Sequence, residues 1–208
     1  MLGVMNTLIY ARWEPPVPTG LPELEGHIAD VDSAIDFAAR LDDAFAADST
    51  DYTLLDALCT ALIVRYSRLF TQGLRAPLQI ESVAGLTDEH RAVHERVLAI
   101  RNKHVAHAVN RFETQSIYVG FDPDEQDKAR VTAVSSGTRT QIALTPHEVR
   151  LLSRLCTICY EHLLGLQAVE CQRLMALAQA LSAAELQALP RGPVEPDLNP
   201  RKVRAQSP

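Results

Sequence analysis

The spacing of apolar residues changes twice along this chain, and these changes constrain its fold most strongly. From about residue 23 to 47, apolar residues recur at intervals of three and four, as on the buried face of an amphipathic helix. From about 51 to 73 the sequence is apolar on nearly all sides, which predicts a central second helix. From about 113 to 144, apolar residues alternate with polar ones or are β-branched, which favours strands. Helical spacing then returns.

The two helices on either side of this β insertion have recognisable starts. Thr87 is a good N-cap, and Asp88 and Glu89 follow in the first turn, where the helix dipole favours negative charge. We expect this third helix to continue to about Asn110. The segment 145–148, Thr-Pro-His-Glu, combines an N-cap threonine, a proline at the first helical position and a glutamate that completes a capping box.

The fourth helix should run from this start to about Ala180, and Ser182 should cap a short helix that ends near Leu189. The whole pattern predicts a mainly α fold, an up-and-down four-helix-type bundle, with a small β-hairpin or three-stranded meander between the third and fourth helices. Such an insertion could cover a site, grip a partner or act as a packing flap.

Proline-rich segments mark both ends of the predicted helical domain. Residues 1–22 should form an N-terminal arm that either packs on the domain or stays loose, and Tyr10 and Trp13 favour docking. Residues 23–189 form the helical domain, with the β insertion at about 113–144. Residues 190–208 combine prolines with scattered charges, which predicts a disordered tail.

Composition limits the classes of function. The chain has 208 residues, a net charge of -6 and 5% aromatic residues, which fits one domain with a core of Ala, Leu and Val. This acidity argues against a broad nucleic-acid surface, so any RNA contact should be local. The longest apolar run, at 57–64, is far shorter than the roughly 20 residues of a membrane span, and the first residues do not resemble a signal peptide. We therefore expect a cytoplasmic protein without a membrane partner.

A polar motif, Arg-Asn-Lys-His-Val-Ala-His at 101–107, interrupts the third predicted helix. If the helix continues, His104 and His107 extend its apolar stripe, and Arg101 flanks that stripe. Buried imidazole and guanidinium groups need polar partners, so a cleft or a subunit interface should meet this end of the helix. The stripe itself consists of Val93, Val97 and Ile100.

This motif resembles that of the HEPN (higher eukaryotes and prokaryotes nucleotide-binding) domains, which are all-helical. Arg101, Asn102 and His107 occupy the places of the family's arginine, polar residue and histidine. The full string at 101–107 is similar to the form found in the AbiU-type branch of abortive-infection proteins. The segment 64–70 also looks like the arginine-rich second helix of those relatives, and the resemblance covers residues about 23 to 185.

The resemblance implies a metal-independent endoribonuclease of a toxin–antitoxin or phage-defence system, with an antitoxin protein as a further partner. His107 would take the proton from a ribose 2′-OH or give one to the leaving 5′-oxygen, and Arg101 would hold the scissile phosphate. Asn102 would orient either group. On one α-helix Arg101 and His107 point about 120° apart, so the site would need two copies of the chain, as in a homodimer.

Four further residues are candidates for this site. Arg65 and Arg68 could pair with aspartates of the first helix, contact a phosphate at the border of the site, or do both. Lys103 would help keep His107 neutral. His104 could join the site or pack in the interface.

The sequence also fits other interpretations. A non-catalytic HEPN-like module could bind RNA, a nucleotide or a protein, and a structural helical dimer would use the motif for its interface. We expect no cofactor and no metal. His90 and His94 have the spacing of a metal pair without a third ligand, so surface or interface packing is the alternative. All four cysteines lie in predicted helices, which favours buried thiols. The alternative is a redox or zinc role for the Cys-x-x-Cys at 156–159.

Overall fold

The computed structural model describes residues 11–73, 75–105, 113–123, 129–140 and 143–191. Its helices are α1 (Leu21–Ala46), α2 (Tyr52–Ser67), α3 (Asp88–Ile100), α4 (Pro146–Ala178) and the short α5 (Ala183–Ala188). A π-helical turn, Arg101–Val105, continues α3, and a 3-10 turn lies at Ile80–Ser82. The strands β1 (Glu113–Pro123) and β2 (Ala129–Thr140) pair antiparallel. The predicted mainly α fold with a small β insertion is confirmed.

Each of the first three long helices packs against the next one along the chain, and α1 also packs against α4, which closes a bundle. We predicted α2 as the central helix, but α1 lies between α2 and α4 and makes the most extensive packing. The buried stripe of α1 explains this, because its four innermost side chains are fully buried whereas the first turn of α2 exposes Tyr52 and Leu54. The stripe consists of Val31, Ala34, Ala38 and Leu41.

The second helix ends at Ser67, six residues before the predicted Gly73. Its last turn tightens, since the N–H groups of Leu69 and Phe70 donate to the carbonyls three residues earlier, at 3.2 and 3.1 Å. The N–H of Leu78 then donates to the carbonyl of Leu69 at 2.7 Å, so the connector folds back over the helix end.

The predicted helix starts are confirmed. Thr145 and Glu148 form a capping box at α4, and Ser182 caps α5. At α3 the Thr87 side chain accepts the His90 N–H, and the His90 ring accepts the Thr87 N–H in return. A histidine thus takes the place that a glutamate has in the usual capping box.

The β insertion is a two-stranded hairpin and not a meander in the part of the chain that the structure describes. The predicted third strand segment, 139–144, does not add a strand, because its end enters the helical core, where Ala143 and Leu144 are buried. Arg96 of α3 holds this entry, donating to the carbonyl of Ala143 at 3.4 Å and pairing with Glu148.

The described part of the N-terminal arm docks on α4 and α5. The Arg12 N–H donates to the carbonyl of Pro190 at 2.8 Å, and Thr19 donates to Glu170 at 2.7 Å. Trp13 lines a hollow against α5. Tyr10 and the predicted tail from residue 192 onward lie outside the described residues. None of the described helices has the length and apolar character needed to cross a membrane.

Candidate functional site

The RNKHVAH motif starts where α3 changes its helical form. Ile100 is buried and ends the apolar stripe, and the next five residues form the π-helical turn. Arg101 is half-buried there, whereas Asn102 and Lys103 are exposed. π-helical turns are rare and often occur at functional sites, so the sequence motif coincides with an independent backbone signal.

Asn102 holds the Arg101 side chain. Nη1 of Arg101 donates to Oδ1 of Asn102 at 3.0 Å. A guanidinium group has five N–H donors in one plane, and this bond engages one edge of that plane. No described carboxylate lies within ion-pair distance of Arg101. The arginine is therefore oriented by its neighbour, and no carboxylate of the described residues neutralises its positive charge.

The histidines of the motif cannot be placed beside Arg101 in the same way. His107 lies outside the described residues, and for His104 the structure describes the backbone alone. The π-helical turn also changes the geometry that the sequence suggested. Its wider hydrogen-bonded ring turns the chain through a smaller angle per residue, so the 120° between Arg101 and His107, derived for an α-helix, does not apply.

His90 and His94 face the interior of one chain, and each has a partner there. Nδ1 of His90 accepts the Thr87 N–H at 3.2 Å, as described above. Nδ1 of His94 makes a 2.7 Å hydrogen bond with the Tyr66 hydroxyl, and its ring packs edge-on against Phe70 with centroids 4.6 Å apart. Burial lowers the pKa of His94. The prediction of surface or interface packing for these histidines is therefore wrong. Tyr66 binds His94, and the N-terminal cap of α3 includes His90.

Metal-ligating side chains do not gather in the described residues, where no group of three or more His, Cys, Asp or Glu is placed to hold an ion. Cys156 and Cys159 are buried in the core, and burial raises the pKa of Cys159 to about 12. The Cys59 pKa is likewise raised to about 11. Such thiols stay protonated and unreactive near neutral pH. Cys171 differs from the prediction of burial, since it lies exposed on the outer face of α4.

Arg65 and Arg68 converge on an aspartate of α1. Asp30 is 3% exposed, and its Oδ1 accepts Nη1 of Arg65 at 2.8 Å. Nε of Arg68 lies 3.2 Å from Oδ2, and Nη2 of Arg75 donates to the same oxygen. Burial alone would raise the pKa of Asp30, but hydrogen bonds from Arg75 and Arg65 and the charge of Arg68 lower it below its usual value. We call these three arginines with Asp30 the arginine cluster.

The arginine cluster and the motif lie at different levels of the bundle. Tyr66 near the end of α2 contacts His94 in α3, and the π-helical turn that follows α3 also contacts α2. The two helices therefore run antiparallel, and the π-helical turn lies nearer the start of α2. At 1.5 Å per residue, Arg101 is on the order of 10 Å along the axis from the level of Tyr66. The structure therefore brings Arg65 and Arg68 to Asp30 and does not bring them beside Arg101.

Sequence reasoning missed Arg75 and Gly26. Arg75 lies in the connector after α2, far along the chain from Asp30, and no periodicity marks it. Gly26 is one turn before Asp30, and a Cβ atom at this position would overlap the Arg75 guanidinium. A glycine inside a predicted helix was the available signal, since such glycines often mark a close approach.

Comparison with known proteins adds no relative, since no family model, no curated protein and no solved structure matches this chain.

Proposed function

We propose that this chain is a HEPN-like RNA-binding protein that cleaves RNA without a metal, in a toxin–antitoxin or phage-defence role. The observation that carries the proposal is the Arg101–Asn102 pair, which lies in a π-helical turn at the end of α3. An oriented arginine with no carboxylate partner among the described residues suits a phosphate, because its planar fork matches two phosphate oxygens. The helical bundle with its motif on the third helix is compatible with a HEPN-like fold.

The proposed reaction is a transesterification. Neutral His107 takes the proton of a ribose 2′-OH, and the 2′-oxygen forms a bond to phosphorus while the bond from phosphorus to the 5′-oxygen breaks. The leaving oxygen takes a proton from the protonated histidine of a second copy or from water. Arg101 neutralises the charge that grows on the non-bridging oxygens. The products are a 2′,3′-cyclic phosphate and a free 5′-OH.

A homodimer is part of this proposal, and the β-hairpin supports it. The register places Val119 opposite Val134 and Phe121 opposite Val131, so these side chains and Ile117 share one face of the hairpin. All five are more than half exposed. A two-stranded hairpin is marginally stable alone, and an apolar patch of this kind usually meets a partner.

We assign a second copy of the chain to this face. Seven residues separate the hairpin from the π-helical turn, so an interface at the hairpin is continuous along the chain with the motif. A twofold axis would then bring together both hairpins and both motifs, so that the histidine of one copy could act as the base and that of the other as the acid. Lys103 and His104 would lie in or near this interface.

The net charge of -6 argues against avid RNA binding, so a second candidate is a HEPN-like module that does not cleave RNA and binds RNA locally, a nucleotide or a protein. The test that separates the two candidates incubates purified protein with structured and single-stranded RNA in EDTA. We expect cyclic-phosphate ends, and loss of cleavage in Arg101→Ala and His107→Ala.

Arg91→Ala is the matched control, because Arg91 is an exposed arginine of the same helix. Cys159→Ala should also retain activity. Cleavage that needs a divalent metal would refute the mechanism. Cleavage of no RNA, with wild type and His107→Ala equally harmless when expressed in cells, would favour the binding module.

A further inference from the structure

The arginine cluster carries more positive charge than its aspartate neutralises. Three guanidinium groups share one carboxylate, and within the described residues no second acid lies at ion-pair distance from any of them. Like charges this close repel each other unless a further anion is present. The cluster is therefore an electrostatically incomplete arrangement at the end of α2.

Each arginine contacts Asp30, and part of its side chain stays exposed to solvent. The side chains of Arg65, Arg68 and Arg75 are 41%, 50% and 21% exposed, whereas that of Asp30 is 4% exposed. The buried Asp30 carboxylate thus holds the three guanidinium groups in position. Because a guanidinium group has five donors, most donors of the cluster are not used by Asp30.

The guanidinium group of Arg75 lies in a space that only a glycine at position 26 leaves open. Gly26 leaves room for its guanidinium against α1, and Nη1 of Arg75 is buried there without a hydrogen-bond acceptor in the described structure. A buried donor without a hydrogen-bond partner is destabilising. Arg75 therefore lies beside two other cations with one donor unpartnered. An ion pair between Arg75 and Asp30 alone would not require this arrangement.

A pocket opens beside the exposed edges of this cluster. It has a volume of about 280 Å³, and its lining includes Arg68, Thr71, Gln72 and Arg75. This volume lies at or just below the lower end of the range for small-molecule sites, roughly 300 Å³, and suits one compact anion. Phosphate oxygens accept hydrogen bonds from hydroxyl, amide and guanidinium groups, and all three kinds of group line this pocket.

We propose that the arginine cluster and this pocket form a binding site for a phosphate group, separate from the RNKHVAH motif. Arg68 and Arg75 would contact the phosphate oxygens, Arg65 would add charge, and Asp30 would position all three. The ligand is a phosphate monoester or diester, and its source is either a free small phosphate or the backbone of RNA. The proposal does not depend on catalysis by Arg101 or His107.

The test is calorimetric titration with inorganic phosphate at constant ionic strength, using Arg101→Ala protein so that the motif does not contribute. We expect one phosphate to bind, and at least tenfold weaker binding after Arg68→Ala. Arg68→Lys keeps the charge but loses the planar guanidinium group. The phosphate affinity of this variant should lie between those of the proteins with Arg68 and with Arg68→Ala. Arg40→Ala removes an exposed arginine of α1 and should change nothing.

A single-stranded RNA oligonucleotide distinguishes the two sources. If Arg68→Ala weakens oligonucleotide binding and lowers its salt slope by about one, the site takes backbone phosphates. If it weakens phosphate binding alone, the site takes a free phosphate. Binding of neither probe, or binding that is indifferent to both Arg68 variants, would overturn the proposal. Circular dichroism checks folding, and Arg68→Lys decides the matter if Arg68→Ala does not fold.

Discussion

The Tyr66 hydroxyl meets Nδ1 of His94 at 2.7 Å, and this hydrogen bond joins α2 to α3 inside the bundle. Both side chains are buried, and neither can find water as a substitute partner. The bond therefore sets the height at which α3 sits on α2, and with it the level at which the π-helical turn begins.

Tyr66→Phe should destabilise the fold by about 1 to 3 kcal/mol, because it leaves a buried imidazole nitrogen without a partner at almost unchanged shape. Urea unfolding measures this change. Tyr52→Phe is the matched control, since Tyr52 is exposed and its hydroxyl can bond to water. Equal stability of the two variants would show that the Tyr66–His94 bond has no net value.

The stability of the protein should fall as the pH drops below the usual histidine pKa of about 6.5. Burial lowers the pKa of His94, so the unfolded chain takes up a proton at a pH where the folded chain does not. The stabilisation is complete above the unfolded pKa and is lost as the pH falls from there toward the folded pKa. Thermal unfolding at pH 7.5 and 5.5 measures it, and His94→Gln should reduce the difference between the two melting temperatures.

Gly26→Ala and Gly165→Ala form a matched pair of helical substitutions with different expected effects. A Cβ atom at 165 has open space around it, so alanine should stabilise α4 by about 0.5 to 1 kcal/mol. At 26 the same atom would displace Arg75 from Asp30, which should cancel this gain or reverse it. Denaturant midpoints compare the two. A gain in both variants would mean that Arg75 relocates at no cost.

Val119→Glu should weaken the proposed homodimer, because it places a charge at the centre of the apolar hairpin face. Multi-angle light scattering at tens of micromolar should show a dimer for wild type and a monomer for the variant. Ser135→Glu is the control, since Ser135 is exposed on the other face of the same hairpin. A monomeric wild type, or a Val119→Glu dimer, would count against a hairpin interface.

Local signals in the sequence predicted much of the fold. Thr87, Thr145 and Ser182 each begin a helix as expected, because an N-cap needs only the few residues that follow it. The change of spacing at about 113 likewise located the hairpin, since strand spacing is a local property. The end of the insertion was less predictable, because Leu144 belongs to the core and not to a third strand.

Contacts between distant segments were not readable from the sequence. Asp30 and Arg75 meet across 45 residues, and His94 finds Tyr66 on another helix. The π-helical turn at Arg101 was also missed, since it depends on how α3 fits its neighbours and not on residue propensity. The sequence named Arg101, Asn102 and His107 as a motif, while the pairing of Arg101 with Asn102 required the structure.

The position of α1 between α2 and α4 has a consequence for how the protein is made. α1 ends at residue 46 and α4 begins at residue 146, so ribosomes finish the first helix long before its main partner emerges. At bacterial and eukaryotic synthesis rates this delay is roughly 5 to 20 s. The stripe from Val31 to Leu41 can contact α2 early, but the side that α4 covers stays exposed to water for that time. The nascent chain thus exposes an apolar helix face before the helix that covers it has been made, and exposed apolar surface of this kind favours aggregation during synthesis.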